Sequence, residues 1–149
     1  MRIVAAFAML AVSAGSAMTS GGLSCTVESN QLAISLDGGV SRGMGGALFN
    51  FAGKLEMNSA GIAEDLRVTE FSREHVAQYW LDGEALKLRL YREREDGPHG
   101  YVEVLVETAL GDEGSGEGEY LVTVYDMTNA VASEAEPARF TGPIGCSVE

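Results

Sequence analysis

The sequence predicts an all-β protein: a single antiparallel meander of about eight or nine strands that closes into a small β-barrel, its ends tied by a disulfide. Three observations favour this fold. Apolar and polar residues alternate along most of the chain after residue 22, turn-forming residues separate the alternating runs, and one cysteine stands near each end of that region. A β-sandwich is the alternative arrangement of the same strands.

Composition and charge fit one globular domain and exclude several kinds of protein. Of the 149 residues, 46% are hydrophobic, which argues against a disordered chain, and 2 cysteines are too few for a disulfide-dense miniprotein. With 22 acidic and 10 basic side chains, the formal net charge is −12. We therefore expect no nucleic-acid partner, because phosphate binding needs a basic face.

The first 17 residues have the layout of a secretory signal peptide. A basic second residue precedes an apolar run, and Gly15 and Ala17 provide the small residues of a cleavage site. The run is about ten residues long, whereas a membrane span needs about 20, so we expect no transmembrane anchor after cleavage. The segment predicts export to the periplasm or outside the cell, with residues 18–149 as a single β domain; cleavage after Ala14 is the alternative.

Cys25 and Cys146 are the chain's two cysteines, and in an exported protein they predict a disulfide. Such a bridge requires the two α-carbons to lie within about 7 Å, which makes the first and last strands neighbours. Closing a loop of order 100 residues stabilises a protein by about 4–5 kcal/mol when chain entropy alone is considered. Lipidation of Cys25 is an alternative, but the preceding leucine is one position from where a lipidation signal needs it.

Alternation predicts strands over most of the domain. The clearest is a hairpin around Asp82-Gly83, a dipeptide typical of tight β-turns, whose second arm alternates leucines with charged residues. The glycine-rich stretch 37–46 predicts a bend, and residues 128–138 predict a short helix or a loop. The expected strands and the hairpin cover residues 23–28, 31–36, 47–57, 62–71, 75–94, 101–110, 119–127 and 139–148.

Residues that could perform catalysis or bind a metal are few. His75 and His99 are the two histidines, and neither stands in a zinc-binding or nucleophile motif, so the sequence favours a non-enzymatic protein without a cofactor. One acidic, glycine-rich loop raises a calcium site as a hypothesis, because Ca²⁺ takes six to eight oxygen ligands. Its candidate ligands are Asp112, Glu113, Glu117 and Glu119.

Aromatic and basic side chains concentrate on the predicted hairpin, where they form a candidate surface for a partner. Tyr79 and Trp80 are adjacent, so one faces the interior and the other the outside. The alternative is structural: the aromatic residues fill the core, and the bases pair across strands with Glu84, Glu103 or Glu107. The candidate partner-binding residues are Tyr79, Trp80, Lys87, Arg89 and Tyr91.

The function that these observations favour is binding without catalysis. We expect an exported module for a macromolecular partner, and the acidity favours a basic protein. The alternative is a carrier for a small apolar ligand, held in a cavity inside the barrel. Phe49, Phe51, Leu88 and Val104 would line that cavity.

Overall fold

The computed structural model describes residues 20–41, 46–128 and 136–149, and this part of the chain is nearly all β. The predicted signal peptide, residues 1–17, lies outside the described residues. So do residues 129–135, the middle of the segment predicted as a helix or loop.

Nine strands form in the described residues, together with one short helix and one 3-10 turn. Helix α1 (Glu64–Arg67) precedes β4, and the 3-10 turn (Arg73–His75) joins β4 to β5. The strands are β1 (Ser20–Glu28), β2 (Leu32–Ser41), β3 (Leu48–Met57), β4 (Val68–Ser72), β5 (Val76–Asp82), β6 (Ala85–Glu93), β7 (Gly100–Ala109), β8 (Ser115–Asp126) and β9 (Ala138–Val148).

All nine strands belong to one antiparallel sheet in the order β4-β3-β2-β1-β9-β8-β7-β6-β5. Each strand pairs with its neighbours in the chain, except that β1 pairs with β9 and the edges β4 and β5 are joined by the 3-10 turn. The sheet curves into a nearly closed barrel, which confirms the predicted fold. The barrel is closed by strand pairing where the chain ends meet, and its gap lies in the middle of the chain.

The predicted disulfide is confirmed. Cys25 on β1 lies directly opposite Cys146 on β9, with their α-carbons 4.1 Å apart, and both cysteines are buried. Because the Cys25 sulfur is bonded to Cys146, it is not available for a lipid. The bridge closes a loop with a sequence separation of 121, so it constrains nearly the whole domain.

The barrel interior is filled by the apolar side chains that alternation places on the inner faces. They form one continuous hydrophobic cluster across the described strands. Burial of these side chains is the main source of stability for such a sheet. The largest of the fully buried side chains are Leu23, Leu36, Leu55, Leu86, Leu88, Leu90, Val102, Val104, Val106, Val122, Val124 and Ile144.

The alternation is interrupted in β3, where the prediction that Phe49 and Phe51 share the inner face is wrong. Asn50 has a positive φ of 47°, and the pairing with β2 shifts register between Asp37 and Gly39. This β-bulge turns Phe49 outward to 38% exposure while Phe51 stays buried.

The first half of the glycine-rich stretch predicted as a bend, residues 37–41, is strand. Strand β2 continues to Ser41, and Gly39 lies under the ring of Phe49, where an added Cβ would overlap that ring. Gly39 therefore lets the outward phenylalanine lie flat against β2. Residues 42–45, at the end of this stretch, lie outside the described residues.

Two further local predictions need correction. Within the predicted strand 62–71, residues 64–67 are helical, so Leu66 enters the core while Val68 is 44% exposed. The hairpin turn lies one residue later than predicted: Gly83 and Glu84 connect the strands, and Gly83 adopts the positive φ of 54°. Glycine tolerates that conformation without a steric cost.

Candidate partner-binding face

Strand β5 separates the two adjacent aromatic residues of the predicted surface. Tyr79 points inward, is half-buried, and donates a hydrogen bond of 2.9 Å to the main-chain oxygen of Gly46, just before β3. Burial raises the pKa of Tyr79. Trp80 points outward and is 57% exposed. Tyr79 therefore helps to close the barrel, and Trp80 is the residue that a partner can contact.

Lys87 and Arg89 lie on the same outer surface and are paired with acids. Lys87 Nζ lies 3.4 Å from Glu107 Oε1, and Arg89 Nε bonds Glu103 Oε1, in each case from β6 to β7. This is the cross-strand pairing expected as the structural alternative. It neutralises both cations, so they do not form a free anion-binding patch.

Tyr91 belongs to an aromatic cluster at one end of this surface. Its ring centroid lies 5.4 Å from that of Tyr101, and Tyr101 stacks on Tyr125 with centroids 5.6 Å apart. His99 lies against both Tyr101 and Tyr125, and its Nδ1 is 3.1 Å from a carboxylate oxygen of Glu93. Burial, followed by the charge of Glu93, raises the pKa of Tyr91.

The sequence reasoning did not assign Tyr125 to this surface. Tyr101 and Tyr125 lie directly opposite each other in the β7–β8 register, which depends on a loop whose length alternation alone does not fix. Counting both strands back from the turn places the two rings together only once the length of that loop is known.

We use the term exposed face for the outer surface of β5–β8 that carries Trp80, Lys87, Arg89 and Tyr91. It contains an open depression of about 570 Å³ next to Trp80, whose lining includes both cations and Leu105. A second open depression, of about 870 Å³, continues across β7, β8 and β9 and shares Leu105 and Glu107 with the first. The outer surface therefore offers concave apolar area, whereas the interior is filled.

The residues predicted to line a carrier's cavity lie in two different places. Phe51, Leu88 and Val104 are buried members of the filled core, and Phe49 lies on the outer surface. This arrangement gives the carrier hypothesis no support within the described residues.

The four candidate calcium ligands also lie apart. Asp112 and Glu113 belong to the β7–β8 turn, whereas Glu117 and Glu119 lie along the exposed outer side of β8. In the ranges that the structure describes, no three acidic, histidine or cysteine side chains are grouped so that they could hold a metal ion. The calcium hypothesis thus has no geometric support.

A serine, an acid and a histidine do meet at the 3-10 turn. The N–H of Ser72 donates to His75 Nδ1 at 2.9 Å, and the Ser72 hydroxyl lies 3.0 Å from the same nitrogen and 3.1 Å from Glu74 Oε1. Burial and then the charge of Arg92 lower the pKa of His75. Because Nδ1 already accepts a main-chain N–H, the group is a capping box that holds the turn between β4 and β5.

One partly buried ionic cluster was not foreseen from the sequence. The side chain of Arg94 is only 6% exposed, and its guanidinium bonds both carboxylate oxygens of Asp65 and lies 3.3 Å from Asp126 Oδ1. It also donates to the main-chain oxygen of Pro98 at 2.7 Å. The cluster ties α1 to the ends of β6 and β8, so its role is to support one end of the exposed face.

The surroundings of Asp126 determine its charge. Burial would raise its pKa, but hydrogen bonds from Thr128 and the N–H of Ala63, together with the charge of Arg94, lower it to about 2. The carboxylate is therefore ionised at neutral pH and balances the buried guanidinium.

Among the described residues, no helix combines the length and the apolar character needed to cross a bilayer. Comparison of the chain with models of protein families, with curated proteins and with solved structures gives no match.

Proposed function

We propose that this protein is an exported, non-enzymatic binding module that engages a macromolecular partner through its exposed face. The observation that carries the proposal is Trp80, a large aromatic side chain left 57% exposed beside an open depression on a barrel with a filled interior. Tryptophan is among the residues that most often dominate the energetics of protein interfaces.

The neighbours of Trp80 fit the anatomy of a protein interface. Leu105 supplies apolar floor, while Lys87 and Arg89, each held by a glutamate, supply a polar rim. A polar rim around a central aromatic anchor is typical of protein interfaces. Tyr91, Tyr101 and Tyr125 extend the aromatic surface on the same strands.

Two features support export. The Cys25–Cys146 disulfide is of a kind that persists in oxidising compartments, and residues 1–17 have the composition of a secretory signal peptide. An exported module with no assembled catalytic group among its described residues is best suited to recognition.

The proposal is tested by replacing Trp80 with alanine and capturing partners from envelope and culture-medium fractions on immobilised protein. Loss of an interface tryptophan typically costs about 2 kcal/mol or more, so we expect retention of a specific partner to fall at least about tenfold. Val68→Ala is the matched control, since it truncates another exposed apolar side chain, on β4, that lines neither depression.

Equal retention by the wild type, Trp80→Ala and Val68→Ala proteins would contradict the proposal. Absence of any partner that the wild type retains above a blank surface would contradict it as well.

A further inference from the structure

An open apolar groove crosses the outer surface of β7, β8 and β9, next to the Trp80 depression. It has a volume of about 870 Å³, and Leu105, Leu121 and Pro143 contribute its apolar floor. Leu105 and Leu121 lie directly opposite each other in the β7–β8 register and are both half-buried, so their side chains form a continuous strip. Along β7 its lining runs from Leu105 to Ala109, about 13 Å at the rise of a β-strand, so it can follow about four residues of an extended chain.

The rim of this groove is negatively charged. Glu107 and Glu119 are directly opposite each other across β7 and β8, and Glu117 follows on the same side of β8. Like charges in directly opposed positions destabilise a sheet. Lys87 lies 3.4 Å from Glu107, but both side chains are well exposed, and an exposed ion pair of this kind contributes little to stability. A cation supplied by a partner would relieve this repulsion.

The chemistry of the groove restricts what can occupy it. Nucleic acid is repelled by carboxylates, and a metal ion would need a closer group of ligands than the described residues provide. An apolar strip flanked by carboxylates complements a polypeptide that carries apolar residues beside lysine or arginine. The overall charge of −12 favours the approach of such a chain by long-range attraction.

We infer that the β7–β9 groove binds an extended basic segment of the partner, with apolar side chains on Leu105, Leu121 and Pro143 and basic ones against Glu107 and Glu119. This inference rests on the proposed function, because Leu105 and Glu107 also border the Trp80 depression and the two surfaces are continuous. Trp80 would then anchor the partner, and the groove would favour partners that carry a basic segment.

The test uses fluorescence anisotropy with two labelled peptides of equal length, one alternating lysine with leucine and the other glutamate with leucine. We expect the basic peptide to bind the wild-type protein and to weaken with salt, and the acidic one not to bind. The double variant Glu107→Gln/Glu119→Gln should lose at least about tenfold in affinity for the basic peptide.

The matched control is Glu28→Gln/Glu95→Gln, which removes the same charge from exposed positions outside the groove. We expect the control to change affinity less than about threefold, since only long-range attraction is altered. Thermal unfolding of both double variants shows whether each is folded. Equal weakening by the two, or equal binding of the acidic peptide, would overturn the inference.

Partner capture with the same variants separates this inference from the proposed function. If Trp80→Ala abolishes capture but Glu107→Gln/Glu119→Gln retains all of it, the proposed function stands and the basic occupant is wrong. If both variants lose the partner, both proposals are supported.

Discussion

At the scale of single residues, Asp126 shows how a buried charge contributes to folding. It lies 3.3 Å from the guanidinium of Arg94 and accepts hydrogen bonds from Thr128 and the N–H of Ala63. Both charged side chains are largely withdrawn from water, 6% exposed for Arg94 and 12% for Asp126. Removal of Asp126 leaves Arg94 with Asp65 as its remaining carboxylate, and Asp65 is 53% exposed.

We expect Asp126→Asn to lower the free energy of unfolding at pH 7 by about 1–2 kcal/mol, because Arg94 keeps its pair with Asp65. The folded pKa of Asp126 is about 2, against an ordinary 3.8, so its stabilisation is present above about pH 4 and is lost as the pH falls to about 2. Urea unfolding at several pH values measures this loss in the wild type, where it amounts to about 1–2 kcal/mol.

Asp112→Asn is the control for this measurement, because Asp112 is an exposed carboxylate in the β7–β8 turn. It should leave the pH dependence of stability close to that of the wild type. An Asp126→Asn protein with wild-type stability and wild-type pH dependence would show that the ionic cluster does not support the fold.

At the scale of elements, the pairing of β8 with β7 requires a glycine at position 118. A Cβ added to Gly118 would overlap the main-chain oxygen of Glu107 and the Cα of Thr108, and rigid main-chain atoms of a paired strand cannot move far. By contrast, a Cβ at Gly145 on β9 would have no atom within 4 Å.

We therefore expect Gly118→Ala to lower the free energy of unfolding by at least about 2 kcal/mol and Gly145→Ala to change it by less than about 0.5 kcal/mol. Urea unfolding of the two variants measures the difference. Equal stabilities would mean that β7 and β8 can separate locally to admit a side chain.

The strands whose pattern is regular were the ones that the sequence could predict. Alternation placed the inner leucines of β6 and the valines of β7 on the interior face, because a period of two leaves one face for each kind of residue. The alternation failed in β3 at Asn50. A single residue with a positive φ there reverses which side of the sheet the preceding residue, Phe49, faces. A β-bulge has no strong signature in a single sequence.

The candidate surface was partly predictable for a similar reason. Alternation placed Trp80 and Tyr79 on opposite faces, but the identity of the outward residue depends on the register with β6. The cluster of Arg94 with Asp65 and Asp126 was beyond prediction, because its members are 29 and 32 residues apart and meet only once the barrel closes. Long-range ionic contacts follow from topology, which the local pattern does not specify.

At the scale of the whole molecule, the sheet is closed into a barrel at two places and by different means. Strand pairing and a buried disulfide join β1 to β9, whereas on the other side Tyr79 of β5 donates a hydrogen bond to the main chain of Gly46, just before β3. The interior is filled by the resulting core, so the concave surfaces available to other molecules lie outside. This division explains why we assign recognition to the outer surface of the barrel.

The most direct test of that assignment uses Trp80, which is the only tryptophan in the chain. Protein labelled with 5-fluorotryptophan gives a single ¹⁹F resonance, so its chemical shift and solvent isotope shift report on this side chain alone. On addition of the captured partner, we expect the resonance to shift and its solvent isotope effect to fall as Trp80 becomes buried. An unchanged resonance, in a sample where gel filtration shows that the partner is bound, would contradict the proposed interface.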